Sequence, residues 1–489
     1  MRAALLALLP ALAFAQALPD RPEKTTVPPL AFRVPQASEH RVTLKNGIPA
    51  FLVSDATAQP LVTVTVTIRG GSYLDPAGKA GLTQLLGQLL RSGGTATLSP
   101  DQVDERLDLL AAQFYAVFTE DTGALQMNLM EKDLPEGLAL LKDLLLHPAF
   151  AQERLDLLKR NTLQRLEQLN DDPRSIERYQ AALLTYGEEH PAARIPQAAF
   201  VKGLTRQELL EQHARLLHPG NLTLAVGGRF DRKAVAKLLE QHFGTLKAGP
   251  EARRSPAPPA PLAPAQPGLY LVHKENPQGR VTFLLPGLRK SDPDWVPVQV
   301  MNFILGGDFT SRLTALIRTQ EGLSYHVNSA FTPGAWFPGG FRFVFQTRAR
   351  SVAYGTRLAL GEFRRIQAEE VSDAELAKAK GALVNGFPAE FGNPAEVAQR
   401  FAEASDRGLP ANLDAAFRAQ VQAVTKADIL RVAKKYLPLD KLAVLVVGPK
   451  ETLLAGDVKD HPGPLAEVLP LPLKELPLRD PATGKPLAK

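Results

Sequence analysis

Apolar and polar positions alternate strictly through LVTVTVTI (Leu61 to Ile68), the period of two that predicts a β-strand with one buried face. Beyond the GGS that follows, the period changes. In GLTQLLGQLL, Leu82, Leu85, Leu86, Leu89 and Leu90 fall at the i, i+3, i+4, i+7, i+8 spacing of one helical stripe. Gln84, Gly87, Gln88 and Arg91 make the opposite stripe, which is chemically bland. A glycine inside a helix costs about 1 kcal/mol relative to alanine, so Gly87 stands out in a segment otherwise well made for a helix. Ser99 followed by Pro100 signals a further helix start. QFYAVFT (Gln113 to Thr119) and ALQMNLM then predict two strands, and helices are expected at about 135–146, 152–169 and 173–184. Strands and helices mix without regular βαβ alternation, so the pattern predicts an α+β fold, a mostly antiparallel sheet with helices on one face.

The pattern occurs twice. TRQELLEQHARLLHPGNLTLAVGG begins at Thr205 and TKADILRVAKKYLPLDKLAVLVVG at Thr425, 220 residues apart, each a capped helix, a short break and an apolar strand ending in glycine. Such self-similarity predicts duplicated domains. The Pro- and Ala-rich stretch AGPEARRSPAPPAPLAPAQPG, residues 248–268, reads as an extended tether between them. The expected organisation is a first domain over 37–247, the linker, a second domain over 269–450, and a Pro-rich tail over 451–489 that lies on a surface or hangs loose.

Composition narrows the function. The chain has 489 residues, 45% hydrophobic and 22% charged, the profile of an ordinary globular protein long enough for more than one core. A net charge of +6 without a basic, aromatic-interleaved stripe argues against nucleic acid as a partner. The absence of cysteine removes disulfides, thiol catalysis and cysteine metal sites together. MRAALLALLPALAFA, residues 1–15, has an arginine, an apolar stretch and Ala13 and Ala15 in an A-x-A pattern, which predicts a cleaved secretory signal peptide and a secreted or periplasmic protein. No later stretch approaches 18 unbroken apolar residues, so no membrane span is expected.

RGGSYLDPAGKAGLTQLLGQLLRSGGT, residues 69–95, resembles the active-site segment of the pitrilysin/insulinase zinc metallopeptidases, in the mitochondrial-processing-peptidase branch. In that family the helix carries His-x-x-Glu-His. Two histidines one turn apart reach one zinc, the glutamate takes a proton from the bound water, and a third ligand, a glutamate, comes from a later helix. The resemblance puts Gln84 and Gln88 at the histidine positions, Gly87 at the general base, and Arg165, in LQRLEQLNDDP, at the third ligand. Amides are poor zinc ligands and an arginine repels the cation. The nine histidines (40, 147, 190, 213, 218, 242, 273, 326 and 461) offer no i, i+3 or i, i+4 pair to replace the lost motif, so no zinc or other cofactor is expected in this chain. Arg165 is expected to fill the vacant pocket beside the two glutamines.

The second half keeps what the first has lost. LGGDFTSRLTALIRTQEGLSYHVNSAF, residues 305–331, resembles the family's LGGGxxSRLxxxLRExxGLxYxV segment, with Glu321 at a position where the family often has arginine. Arg318 and Tyr325 then fall on an Arg and Tyr pair that, in the family, reaches the substrate bound at zinc. A phenol hydroxyl suits an oxyanion and a guanidinium fork suits a carbonyl. Some bacterial members of the family divide the work between a zinc-bearing chain and a zinc-less chain that keeps this pair. The resemblance implies that this chain is of the second kind, with a homologous zinc-bearing subunit as partner, zinc in that partner, and unfolded peptides as substrates. Residues 113–119 (Gln113, Phe114, Tyr115, Ala116, Val117, Phe118 and Thr119) are expected to offer a strand edge to the substrate. The alternative is a catalytically inactive homologue acting as a binding or scaffold protein, as in family members that are core subunits of respiratory complexes.

Overall fold

The computed structural model describes residues 32–260, 265–334, 336–410, 413–457 and 459–487. The signal segment predicted for residues 1–15 lies outside them. Two six-stranded sheets carry the architecture. The first contains β1 (Arg41–Thr43), β2 (Pro49–Ser54), β3 (Leu61–Arg69), β4 (Gln113–Phe118), β5 (Thr122–Met130) and β6 (Leu222–Gly228) in the order β1-β2-β6-β3-β5-β4. The second contains β7 (Gly268–His273), β8 (Gln278–Pro286), β9 (Val327–Thr332), β10 (Gly340–Arg348), β11 (Ala443–Gly448) and β12 (Leu473–Leu476) in the order β12-β7-β11-β8-β10-β9.

Five of the six strands in each sheet repeat. β2 runs parallel to β6 as β7 does to β11, and the β6-β3-β5-β4 meander of antiparallel pairs returns as β11-β8-β10-β9. Only the sixth strand differs, antiparallel β1 in one sheet and parallel β12 in the other. The repeated helix starts are both capping boxes, in which the Thr205 side chain accepts from the amide of Glu208 and the Thr425 side chain from that of Asp428. The mixed but mostly antiparallel sheets, each with its own helices on one face, are the α+β duplication that the sequence pattern predicts.

The other face of each sheet is not left to solvent. In LVTVTVTI the intervening threonines Thr65 and Thr67 are buried as well, so β3 is covered on both sides rather than half-buried. The cover comes from the other half of the chain. The Pro394–Asp406 helix, started by the Asn393 side chain and a proline in its first turn, lays Val397, Ala398, Phe401 and Ala402 against Phe51, Val53 and Ala225. The Pro173–Tyr186 helix, started in the same way by Asp172, lays Ile176 and Ala181 against Tyr270, Val272, Leu284, Ala443, Leu445 and Val447. Each buried Val, Leu, Ile or Phe among these contributes up to about 1.5–3 kcal/mol and the alanines less, so the exchange of helices joins the two halves. The approach is close enough at Gly227 that a Cβ there would lie 2.3 Å from the Cα of Ala395.

A buried carboxylate reinforces the exchange. Glu177, on the Pro173–Tyr186 helix, is 1% exposed and accepts from Arg280 Nε at 3.1 Å, Thr282 Oγ1 at 2.8 Å and Arg342 Nη2 at 2.5 Å, all on the second sheet. The described residues of the Pro- and Ala-rich connection before β7 form no helix or strand, and the segment is docked along 252–259. Ser255 N donates to Asn221 Oδ1 at 2.8 Å, and Tyr73 Oη donates to the carbonyl of Pro256 at 2.6 Å. The Pro-rich tail supplies β12 and then crosses to the first half, where Asn170 donates to the carbonyl of Arg479 at 2.7 Å and Gln180 to that of Pro477 at 2.9 Å. Among the described residues no helix is long and apolar enough to cross a membrane.

Candidate functional site

The Leu82–Ser92 helix is held at its start by a buried carboxylate. Asp75 accepts from the amides of Gly81 (2.8 Å) and Thr83 (3.0 Å) and from the Thr83 hydroxyl (2.5 Å). Burial pushes the Asp75 carboxyl up to about 6, with the Thr83 hydroxyl and these amides pulling against it. The leucine stripe is buried in full, and Gln84 and Gln88 emerge one turn apart on the other side, half-buried and exposed respectively.

Between them Gly87 is compelled by packing. A Cβ there would lie 2.7 Å from Cδ2 of Phe118, and a Cβ at Gly123 would lie 2.2 Å from Cε1 of the same ring. Phe118, at the end of β4, is therefore clasped between two glycines, and its ring occupies the ground over which a side chain at position 87 would extend. Phe118 and Phe114 lie within the segment expected to offer a strand edge to a substrate. Both are buried, at 5% and 4% exposure, and face the core. β4 is nonetheless an edge strand, paired only with β5 in its sheet, and Gln113, Tyr115, Val117 and Thr119 are exposed along it, with Ala116 half-buried.

Arg165 does not fill a pocket beside the glutamines. It is exposed near the end of the Gln152–Glu167 helix, and its Nη2 donates to Thr162 Oγ1, one turn back, at 3.2 Å. Among the described residues no group of three or more His, Asp or Glu side chains is placed to hold a metal ion. His213, a buried histidine of the first half, bonds the carbonyl of Leu145 at 2.6 Å, and burial lowers its pKa. Its role is packing.

Arg318 and Tyr325 are brought together. Arg318 lies in a π-helical segment, Thr314–Gln320, a widened turn of a kind often found at functional sites. Its guanidinium sits 4.7 Å from the centroid of the Tyr325 ring, which is 87% exposed, and 4.3 Å from that of Phe309. Three residues beyond Arg318, Glu321 accepts from the Tyr354 hydroxyl at 3.0 Å, and Tyr354 stacks on His461 at 3.7 Å. This gives Glu321 a structural role, anchoring the end of the π-helical segment to the Val352–Ala368 helix and the tail. No hydrogen bond, ion pair or ring contact among the described residues joins Arg318 or Tyr325 to Gln84, Gln88 or Arg165.

Phe309 is the member of this site that sequence reasoning missed. Its signal was present, a large aromatic residue between Asp308 and Thr310 at a turn, where the chain has little reason to place one for packing alone.

Comparison with known proteins agrees with this architecture. The family model described as insulinase (peptidase family M16) matches residues 51–191, and that described as peptidase M16 inactive domain matches residues 203–383. An uncharacterized zinc protease of Mycobacterium tuberculosis is 24% identical over 436 residues, covering 88% of this chain and 96% of that protein. A non-peptidase homologue of Helicobacter pylori, YmxG, is 24% identical over 401 residues, covering 80% and 90%. The crystal structure of a peptidase M16 inactive domain from Pseudomonas fluorescens superposes with a TM-score of 0.74 at 24% identity, covering 84% of this chain and 98% of that one. With both halves matched and the fold shared, the chain belongs to the insulinase-like peptidase family M16.

Proposed function

We propose that this chain is the zinc-less subunit of a two-chain peptidase acting outside the cytoplasm, and that it lends Arg318 and Tyr325 to a zinc site on a homologous partner. One contrast carries the reading. All four positions of the zinc motif hold other residues and the ground beside Gly87 is occupied by Phe118, whereas Arg318 and Tyr325 remain paired, with Arg318 half-buried and the Tyr325 ring exposed. A chain losing function by drift would have no reason to spare one set and not the other.

The chemistry follows from the groups. The partner's zinc would supply the activated water. The Tyr325 hydroxyl is a neutral donor for the oxyanion that forms when water adds to a peptide carbonyl, and the in-plane donors of Arg318 hold a neighbouring carbonyl. β4, with its outer edge open, would take an extended segment of unfolded peptide by strand addition, with Tyr115 and Val117 contacting alternate side chains. Gentle purification of the tagged chain from its own host tests the pairing. A second chain at one-to-one stoichiometry bearing His-x-x-Glu-His is the expected result, and a chain that elutes alone contradicts it.

The second reading is a binding or scaffold protein without a part in catalysis. The wholesale replacement of the zinc motif favours it, as does likeness to a relative named as a non-peptidase homologue. The two readings separate at Tyr325, which matters to turnover only on the first.

A further inference from the structure

We propose that Phe309 is a positioning residue for Arg318, clamping the guanidinium so that its in-plane donors stay presented to a carbonyl or carboxylate of an extended peptide. This inference rests on the proposed role of Arg318 and Tyr325. The Arg318 guanidinium lies over two aromatic rings at once, that of Phe309 at 4.3 Å and that of Tyr325 at 4.7 Å. Both rings are largely in solvent, Phe309 at 62% exposure and Tyr325 at 87%, so neither is there to fill a core.

The electrostatics explain what the two rings do. A guanidinium has two weakly hydrated faces and a rim of N–H donors in its plane. Aromatic rings cover the faces by cation–π attraction and leave the rim free. Among the described residues no carboxylate forms an ion pair with Arg318. Arg312, six residues earlier, shows the contrasting case: Glu375 takes its Nε at 2.6 Å and its Nη2 at 3.0 Å, so that arginine is committed to the fold. Arg318 keeps its rim available to a ligand, and the two rings limit the directions in which it can turn.

Phe309 is itself held in place by its turn. Asp308 Oδ1 accepts from the Thr310 amide at 2.9 Å and from the Thr310 hydroxyl at 2.5 Å, and the Ser311 amide donates to the Asp308 carbonyl at 3.1 Å. The backbone on both sides of Phe309 is fixed by these bonds, so the ring is presented to Arg318 without core packing. Two exposed aromatic rims beside an uncommitted arginine suit a peptide that places an acceptor against the rim and an apolar side chain against a ring.

Two measurements test this. In the isolated chain, the Nε–Hε resonance of Arg318, assigned by its loss in Arg318→Lys, is expected to be ring-current shifted and to move toward the ordinary arginine position in Phe309→Ala but not in Phe309→Trp. In the purified one-to-one complex, with an internally quenched unstructured peptide as the probe, Phe309→Ala is expected to lower kcat/KM about two- to fivefold, mainly through KM, the size of one exposed cation–π face. Phe309→Trp should restore it and Phe309→Leu should not. An Arg318 resonance indifferent to Phe309→Ala overturns the inference whatever the complex does. A shifted resonance with unchanged kcat/KM, in a complex that Tyr325→Phe inactivates, overturns the role of Phe309 and leaves that of Tyr325 standing. If Tyr325→Phe also leaves turnover unchanged, both fall.

Discussion

The ring of Phe118 lies 2.7 Å from where a Cβ at Gly87 would be, so the Leu82–Ser92 helix and the end of the edge strand meet at a contact that admits no side chain. Phe118 cannot retreat, because Gly123 makes room for its other edge. Gly87→Ala is expected to destabilise the fold by about 1–2 kcal/mol, the overpacking strain outweighing the roughly 1 kcal/mol that alanine gains in a helix. Gly87→Glu should be worse. Combined with Phe118→Ala it should be less damaging than the sum of the two single changes by about 1 kcal/mol or more, as neighbours sharing one space are. Chemical denaturation of the four proteins tests the coupling, and strictly additive effects contradict it.

The same contact governs any attempt to rebuild the zinc site. Gln84→His, Gly87→Glu, Gln88→His and Arg165→Glu together are expected to give a chain that binds zinc poorly, and the addition of Phe118→Ala should improve its zinc content. Metal analysis after dialysis checks this. Stoichiometric zinc in the fourfold variant would mean that the Phe118 ring yields more readily than its packing implies.

Asp75 makes stability depend on pH in an unusual direction for a carboxylate. Its folded pKa of about 6 lies above the ordinary value of 3.8, so between about pH 4 and 6 the folded chain holds a proton that the unfolded chain has released. Its contribution to stability therefore falls as pH rises through that window, by up to about 3 kcal/mol. The advantage of the wild type over Asp75→Asn should shrink correspondingly between pH 4 and 7 in urea titrations. Parallel pH curves for the two proteins contradict the assignment.

Glu177 is a buried charged contact that joins the halves. Glu177→Ala leaves Arg280, whose side chain is 11% exposed, without its carboxylate beneath the exchanged helix. Removing one partner of a buried pair costs about 3–5 kcal/mol. The expected result is a lower denaturation midpoint together with faster proteolysis between the halves, whereas Arg106→Ala, whose pair with Glu136 is exposed on both sides, should change stability by less than about 1 kcal/mol.

The local elements were legible because their signals are local. The alternation over Leu61 to Ile68, the leucine stripe from Leu82, the Ser99-Pro100 start and the repeated Thr205 and Thr425 caps each depend on neighbours in sequence, and β3, the Leu82–Ser92 helix, the Pro100–Leu109 helix and both capping boxes form there. The burial of Thr65 and Thr67 was not legible, because it depends on a helix more than 300 residues away that covers the first sheet. Nor was the reason for Gly87, which lies in Phe118, whose place in QFYAVFT says strand but not which face meets the helix. Arg165 looked like a pocket-filler by its position in a motif, but a long side chain on an exposed helix face turns to solvent and to the hydroxyl one turn back. The tail illustrates the same limit: its prolines argue against helix, and only the unpaired flank of β7 turns part of it into β12.

The central claim is that Tyr325 acts on a substrate held by a second chain. The most direct test is the rate of cleavage of an unstructured peptide by the purified two-chain complex carrying Tyr325→Phe, a change that removes one hydroxyl from an 87% exposed ring and leaves the stack on Arg318 in place. A fall in kcat of about a hundred- to a thousandfold, the size expected for a lost oxyanion donor, with complex formation unchanged, is the predicted result. Cleavage at the wild-type rate would contradict the account and leave the chain a scaffold.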